Sequence, residues 1–228
     1  MFTAKKRLSL LVFSMILIGL SGTPAYAHEM YFTKNGSTIT TVPLRWINKN
    51  TSTGRLKVLI DKQYLKDSWA TYFEDARVAW HSSNVPAEFT TSSTSVNTYM
   101  ATASADYWKQ RFPGDSSWSE VMGVTDLYDT NGTVIDSYAK ASASTKQIKG
   151  ANIYVKPNPY NNSVFDYRST MSHEFGHVLC LGHSHLAEYS PANPSTDPSI
   201  MSYDYLALKK SYLPQTHEVN DVKAMYGY

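Results

Sequence analysis

The sequence predicts an α+β domain, and three observations carry that prediction. Arg55 to Ile60 places Leu56, Val58 and Ile60 at every second position, the alternation of a half-buried strand. Trp69, Tyr72, Phe73, Ala76 and Trp80 recur three and four residues apart, which describes an amphipathic helix with an aromatic core face between Lys66 and His81. A second helix is expected to end near Cys180, with Phe175, Val178 and Leu179 on its buried side and Asp166 or Ser169 as its cap.

The N-terminus comes first in chain order. Lys5, Lys6 and Arg7 precede an apolar run from Leu8 to Leu20, and Ala25-Tyr26-Ala27 offers small residues to a signal peptidase. The run is short of the ~20 residues a membrane span needs. Residues 1–27 are therefore expected to be a signal peptide, leaving a secreted, extracellular protein with no membrane association after cleavage. Residues 28–228 are expected to form one domain. Within it, 28–53 is a polar, turn-rich extension broken by Asn35-Gly36 and Asn48-Lys49-Asn50, with a short strand at Leu44 to Ile47.

From Ser82 to Pro159 the pattern is β-like. Glu88 to Thr91 and Thr98 to Ala103 are Thr-rich strand candidates. Val121 to Tyr128 and Thr133 to Tyr138 flank Thr130-Asn131-Gly132 and predict a hairpin, since Asn-Gly readily supplies two positive φ angles. Asp126, Asp129, Asn131 and Asp136 crowd that hairpin. A calcium site with oxygen ligands is one reading of them and ordinary turn chemistry is the other. Ala151 to Lys156 is a further strand, ended by Pro157. The segment 190–198 is too rich in Pro and Ser to form an element, and a last helix is expected from about His217 to Tyr226. Val219, Val222, Ala224 and Met225 are its packing residues.

Composition narrows the function classes. The chain has 228 residues, a net charge of +2 and 18% charged residues, and no basic run follows the N-terminus, so no nucleic-acid partner is expected. Its one cysteine cannot form an internal disulfide, and a monomer held by core packing and ions is expected.

The chemistry concentrates in His173-Glu174-Phe175-Gly176-His177. Helical residues four apart share a face, so His173 and His177 can bind one metal ion together. Glu174 sits beside the first ligand, where its carboxylate can reach a metal-bound water without ligating. That arrangement is the zinc-metalloprotease pattern. His183 lies six residues beyond His177 and can join a three-His site only if the chain leaves the helix and turns back. Gly182 is the residue type that permits such a turn. His185 alternates with His183 and is read as a surface residue.

With Ser199-Ile200-Met201-Ser202-Tyr203 downstream, the chain resembles the metzincins, zinc proteases with three His ligands and a Met-containing turn. Within that clan Leu181-Gly182-His183-Ser184 and Tyr226-Gly227 are most similar to the matrixins. The resemblance implies a twisted, mostly parallel sheet with an antiparallel edge strand, two long helices and a C-terminal helix. It makes the Ala151–Lys156 strand the edge that lines the cleft and pairs with a peptide substrate. It implies a catalytic zinc on His173, His177 and His183, with Glu174 as general base for the zinc-activated water, and an endopeptidase acting on proteins or peptides. Met201 would be a hydrophobic floor beneath the zinc. Tyr203 would ligate zinc at rest and hydrogen-bond the transition state, as in astacins and serralysins; a packed tyrosine is the alternative.

Two features depart from the matrixin pattern. Cys180 stands where that family has Gly, so the turn must either tolerate a side chain or shift toward Gly182. Cys180 is also either a small buried residue or an inhibitory fourth zinc ligand. The second departure is Met201-Ser202-Tyr203, which looks more like the astacin and serralysin turn than the matrixin one, where Pro usually stands two residues after the Met. Since no cysteine precedes the motif, latency through a pro-segment cysteine is not expected, nor is a structural zinc, because no His lies between the two long helices. A non-catalytic zinc-containing binding protein and a hydrolase of non-peptide substrates are the competing readings.

Overall fold

The computed structural model describes residues 30–34, 38–113, 121–157, 163–183, 199–201 and 212–228. The first half holds β1 (Tyr31–Lys34), β2 (Thr38–Thr41), β3 (Arg45–Trp46), β4 (Leu56–Tyr64), α1 (Asp67–Ser82), β5 (Ala87–Thr91) and β6 (Thr98–Thr102). The rest holds α2 (Ala105–Arg111), β7 (Gly123–Asp129), α3 (Tyr138–Ala143), β8 (Gln147–Val155), α4 (Val164–Val178) and α5 (Thr216–Tyr226). Among the described residues no helix is long and apolar enough to cross a membrane. The candidate signal peptide, His185, the 190–198 loop and Tyr203 lie outside the described residues.

The main sheet runs β3-β8-β6-β4-β5 with parallel neighbours, and β7 adds an antiparallel strand against β8. Parallel strands are buried on both faces or need covering helices. Here α1 and α4 supply one cover. Leu56, Val58 and Ile60 are buried, as their alternation implies, and so are Trp69, Phe73, Ala76 and Trp80 of α1. Each such large side chain stabilises the fold by ~1.5–3 kcal/mol when fully buried. Phe73 meets Phe175 of α4 edge to face at 5.8 Å, and Trp80 donates its indole N–H to the Ser172 carbonyl at 2.8 Å. His81 is exposed in the last turn of α1.

Four expectations need correction. The 28–53 extension holds two strands beyond the one expected at 44–47, since β1 and β2, on either side of residues 35–37, pair antiparallel. The β-like stretch contains two short helices, α2 and α3, each started by a serine (Ser104, Ser137) whose side chain caps the first turn. The hairpin forms only in part. Gly132 takes φ 83° and the Asp129 carboxylate accepts N–H bonds from Asn131 and Thr133, but the second arm makes a single bridge at Val134 before α3 begins.

The last correction bears on the site. The strand at 151–155 is interior, because its residues pair with β6 on one flank and with β7 on the other. The antiparallel strand beside α4 is β7. Alternation in a sequence reports which face of a strand is buried and is silent about what lies on its two edges.

Candidate metal centre

Helix α4 brings the candidate residues to the core. Its cap is Ser163, with Asp166 completing a reciprocal capping box, whereas Ser169 lies inside the helix and donates to the Phe165 carbonyl at 2.7 Å. From Ser169 to Val178 every residue of the helix is buried. His173 and His177 stand one turn apart, with their rings at right angles and centroids 4.5 Å apart.

The chain leaves the helix at Cys180. Its N–H bonds to the His177 carbonyl and that of Leu181 to the Gly176 carbonyl, the paired bonds of a Schellman ending. The left-handed residue that ending needs is Cys180 itself, at φ 68°, so the turn tolerates a side chain and does not move to Gly182. The reversal returns His183 to the helix, where its Nε2 stands 3.1 Å from Nε2 of His173. The three imidazoles each offer a nitrogen, and these nitrogens all lie within 4.8 Å of one another.

Backbone carbonyls fix the tautomers of the two helical ligands. Nδ1 of His173 meets the Ile200 carbonyl at 2.7 Å and Nδ1 of His177 meets the Leu181 carbonyl at 2.8 Å. A carbonyl can only accept, so both Nδ1 atoms carry hydrogen and both Nε2 atoms present lone pairs. Burial keeps these rings neutral: His177 is pushed down to about 3 and His173 is lowered as well. Neutral, buried imidazoles whose lone pairs converge suit a zinc ion. Tetrahedral zinc with Zn–N of ~2.0–2.1 Å spaces its ligand nitrogens about 3.3 Å apart, close to the His173–His183 separation.

Glu174 is buried beside this cluster. Its Oε2 accepts from Thr125 Oγ1 of β7 at 2.6 Å. Burial pushes its carboxyl up to about 8, against the pull of that hydrogen bond, and the nearby Asp126 adds to the rise. Strand β7 approaches so closely that a Cβ at Gly123 would sit 2.6 Å from Glu174 Oε1.

Met201 is fully buried and packs against the turn of α4 that bears the ligands, where a Cβ at Gly176 would overlap its sulfur. What anchors this Met turn was missed from the sequence. Glu218, fully buried in the first turn of α5, accepts from Ser199 Oγ at 2.8 Å and from the backbone N–H groups of Ile200 at 2.6 Å and Met201 at 3.4 Å. Its other oxygen accepts from Gln215 N–H. Held in this way, Ile200 aims its carbonyl at His173. Gln215 followed three residues later by Glu218 has capping-box spacing, a signal the sequence did contain. Thr125 and Gly123 had none, being about fifty residues from their partner.

The remaining candidates fall elsewhere. The Cys180 thiol is buried and pushed up to about 12 by desolvation, and the Tyr226 hydroxyl, the Trp46 backbone and Arg45 act on it. It is no member of the metal-ligand group. Asp126 pairs with Arg111 at 2.7 Å, Asp136 with Lys140 at 2.6 Å, and Asp129 with the N–H groups of Asn131 and Thr133.

No family model and no curated protein matches the chain. Among solved structures it is similar to high choriolytic enzyme 1, a hatching enzyme zinc-protease from the medaka fish Oryzias latipes. That likeness has 12% identity and a TM-score of 0.43, and covers 80% of this chain and 94% of that one. At such distance the function has to be read from the side chains.

Proposed function

We propose that this chain is a zinc endopeptidase, exported after removal of residues 1–27, with His173, His177 and His183 as zinc ligands and Glu174 as general base. The observation that carries the proposal is the convergence of three imidazole nitrogens, two of them on rings that burial keeps neutral, next to the buried carboxylate of Glu174. Zinc held there would supply a Lewis acid that acidifies water and polarises a peptide carbonyl.

The protein's own residues supply the rest. The Leu181 and Ile200 carbonyls hold two imidazoles in the ligating tautomer. Glu174 accepts the proton of the attacking water at a carboxylate oxygen and returns it to the leaving amine. In the metal-free protein burial raises its affinity for protons. A cation at the imidazoles lowers that affinity, so the free carboxylate is the resting form. The Met turn at 201 supports the ligand turn by van der Waals contact, and Tyr203 remains the proposed hydrogen-bond donor to the transition state.

The test is hydrolysis of casein by protein purified from a secreting host, with and without a zinc chelator, beside Glu174→Ala. Cleavage lost in both controls supports the peptidase and the base. A folded, zinc-loaded protein that leaves casein intact would favour the non-catalytic zinc-binding reading. N-terminal sequencing of the exported protein should begin at His28.

A further inference from the structure

We propose that Thr125 is a positioning residue for Glu174, holding its carboxylate in a slot of the edge strand β7 whose floor is Gly123; this rests on Glu174 being the base. Residues 123 and 125 are two apart on a strand and so face the same way, here toward α4. Thr125 Oγ1 lies 2.6 Å from Glu174 Oε2 and 3.3 Å from the Glu174 carbonyl, so one hydroxyl touches both the side chain and the backbone of the same residue. Two residues earlier, a Cβ at position 123 would lie 2.6 Å from Oε1 and 3.0 Å from Cδ and Cγ of Glu174. No real Cβ tolerates such contacts. The carboxylate therefore lies against bare backbone at Gly123 and is pinned by a hydroxyl at Thr125.

The chemistry follows from the proton count. A threonine hydroxyl has one hydrogen to give, and an ionised carboxylate can only accept. Thr125 thus donates to Oε2, and with Oε1 lying against Gly123 this fixes the plane of the carboxylate. A valine at 125 keeps the shape and removes the donor, whereas a serine keeps the donor.

The experiment compares Thr125→Val, Thr125→Ser and the parent, each zinc-loaded and assayed on a fluorogenic peptide cut from a casein site. Thr125→Val should lower kcat by about 10- to 100-fold, with KM within about twofold and zinc content equal to the parent. Thr125→Ser should stay within about threefold of the parent. A second measurement is independent of turnover: urea unfolding of chelated protein in a cycle with Glu174→Ala. There Thr125→Val should change the unfolding equilibrium at least about fivefold more with Glu174 present than with alanine at 174.

Normal kcat in Thr125→Val, or serine as poor as valine, would overturn the inference while the peptidase reading stands. Loss of zinc from Thr125→Val would overturn it too, since a structural role would then suffice. A zinc-loaded parent that cleaves nothing would sink the peptidase reading and the positioning role with it, even if the cycle shows the contact.

Discussion

Two buried glutamates flank the same cluster of imidazoles, and their surroundings differ sharply. Glu218 collects four donors, from Ser199 Oγ and the N–H groups of Ile200, Met201 and Gln215. Among the described residues Glu174 accepts from the hydroxyl of Thr125 alone. A carboxylate surrounded by donors ties together the segments that supply them. A carboxylate left with one donor retains affinity for a proton, and burial raises that affinity to about 8. One position in the core thus holds a turn and the other is the proposed proton carrier, and the difference lies in the donors and not in the residue type.

The largest expected effect separates the two roles directly. Glu174→Gln should lower peptide cleavage by about 10³-fold, within the range of general acid–base contributions, while leaving zinc content and fold intact. Removal of an under-solvated carboxylate should, if anything, raise the unfolding midpoint of that variant. Glu218→Ala should do the opposite. It orphans buried N–H groups and should destabilise the protein by about 3 kcal/mol, read by urea unfolding. Because Ile200 then releases His173, zinc affinity should fall by roughly tenfold or more, as for other groups that orient a ligand. Equal stability losses in the two variants would break the distinction.

The pH dependence of stability sharpens it. In chelated protein the folded pKa of Glu174 stands near 8 against an ordinary 4.5, so the native state binds more protons between those values. Stability contributed by the protonated form is full below 4.5 and is lost as pH rises through 8. His173 and His177 run the other way, since their folded pKa values are lowered and their penalty appears as pH falls below 6.5. The window from 6.5 to 8 therefore isolates Glu174. Over it the chelated parent should lose about 2 kcal/mol relative to Glu174→Gln, measured as the difference between their urea midpoints. A parent that gains stability over that window would contradict the buried, weakly solvated carboxylate.

The contrast also marks how far the sequence could be read. The candidate ligands on the helix and the candidate base were legible as a group, because His173, Glu174 and His177 lie on one helix and local spacing dictates how they face. The aromatic face of α1 and the strand at 56–60 were legible for the same reason of period. What holds these groups in place was not. Thr125 and Glu218 act through contacts across distant segments, and β7 became the strand beside the site through pairing that alternation does not encode. Short helices such as α2 carry too few turns to show a period, leaving only their capping serines as a signal. At the end of α4 the expectation weighed Gly182, whereas Cys180 adopts the left-handed angle because the Schellman bonds fall at that residue.

Cys180 is a third buried ionisable group near the cluster, and it sets the lower limit of the comparison. Burial pushes its thiol up to about 12, further from its ordinary value of 9 than any working pH reaches. The Tyr226 hydroxyl and the Trp46 backbone do not offset that burial, and the neutral thiol is expected to act as a small apolar filler. The folded protein should resist iodoacetamide at pH 8 and react stoichiometrically once unfolded, followed by mass spectrometry. Cys180→Ser should leave zinc affinity within about twofold, because a residue outside the ligand set has no donor to lose. Cys180→Gly removes the left-handed strain, a gain of about 1 kcal/mol, and removes buried contacts of similar size, so its net effect on stability should be the smallest of the series. A large rise in activity in Cys180→Gly would mean instead that the thiol restrains the zinc, and burial alone would no longer separate an inert acid from a working one.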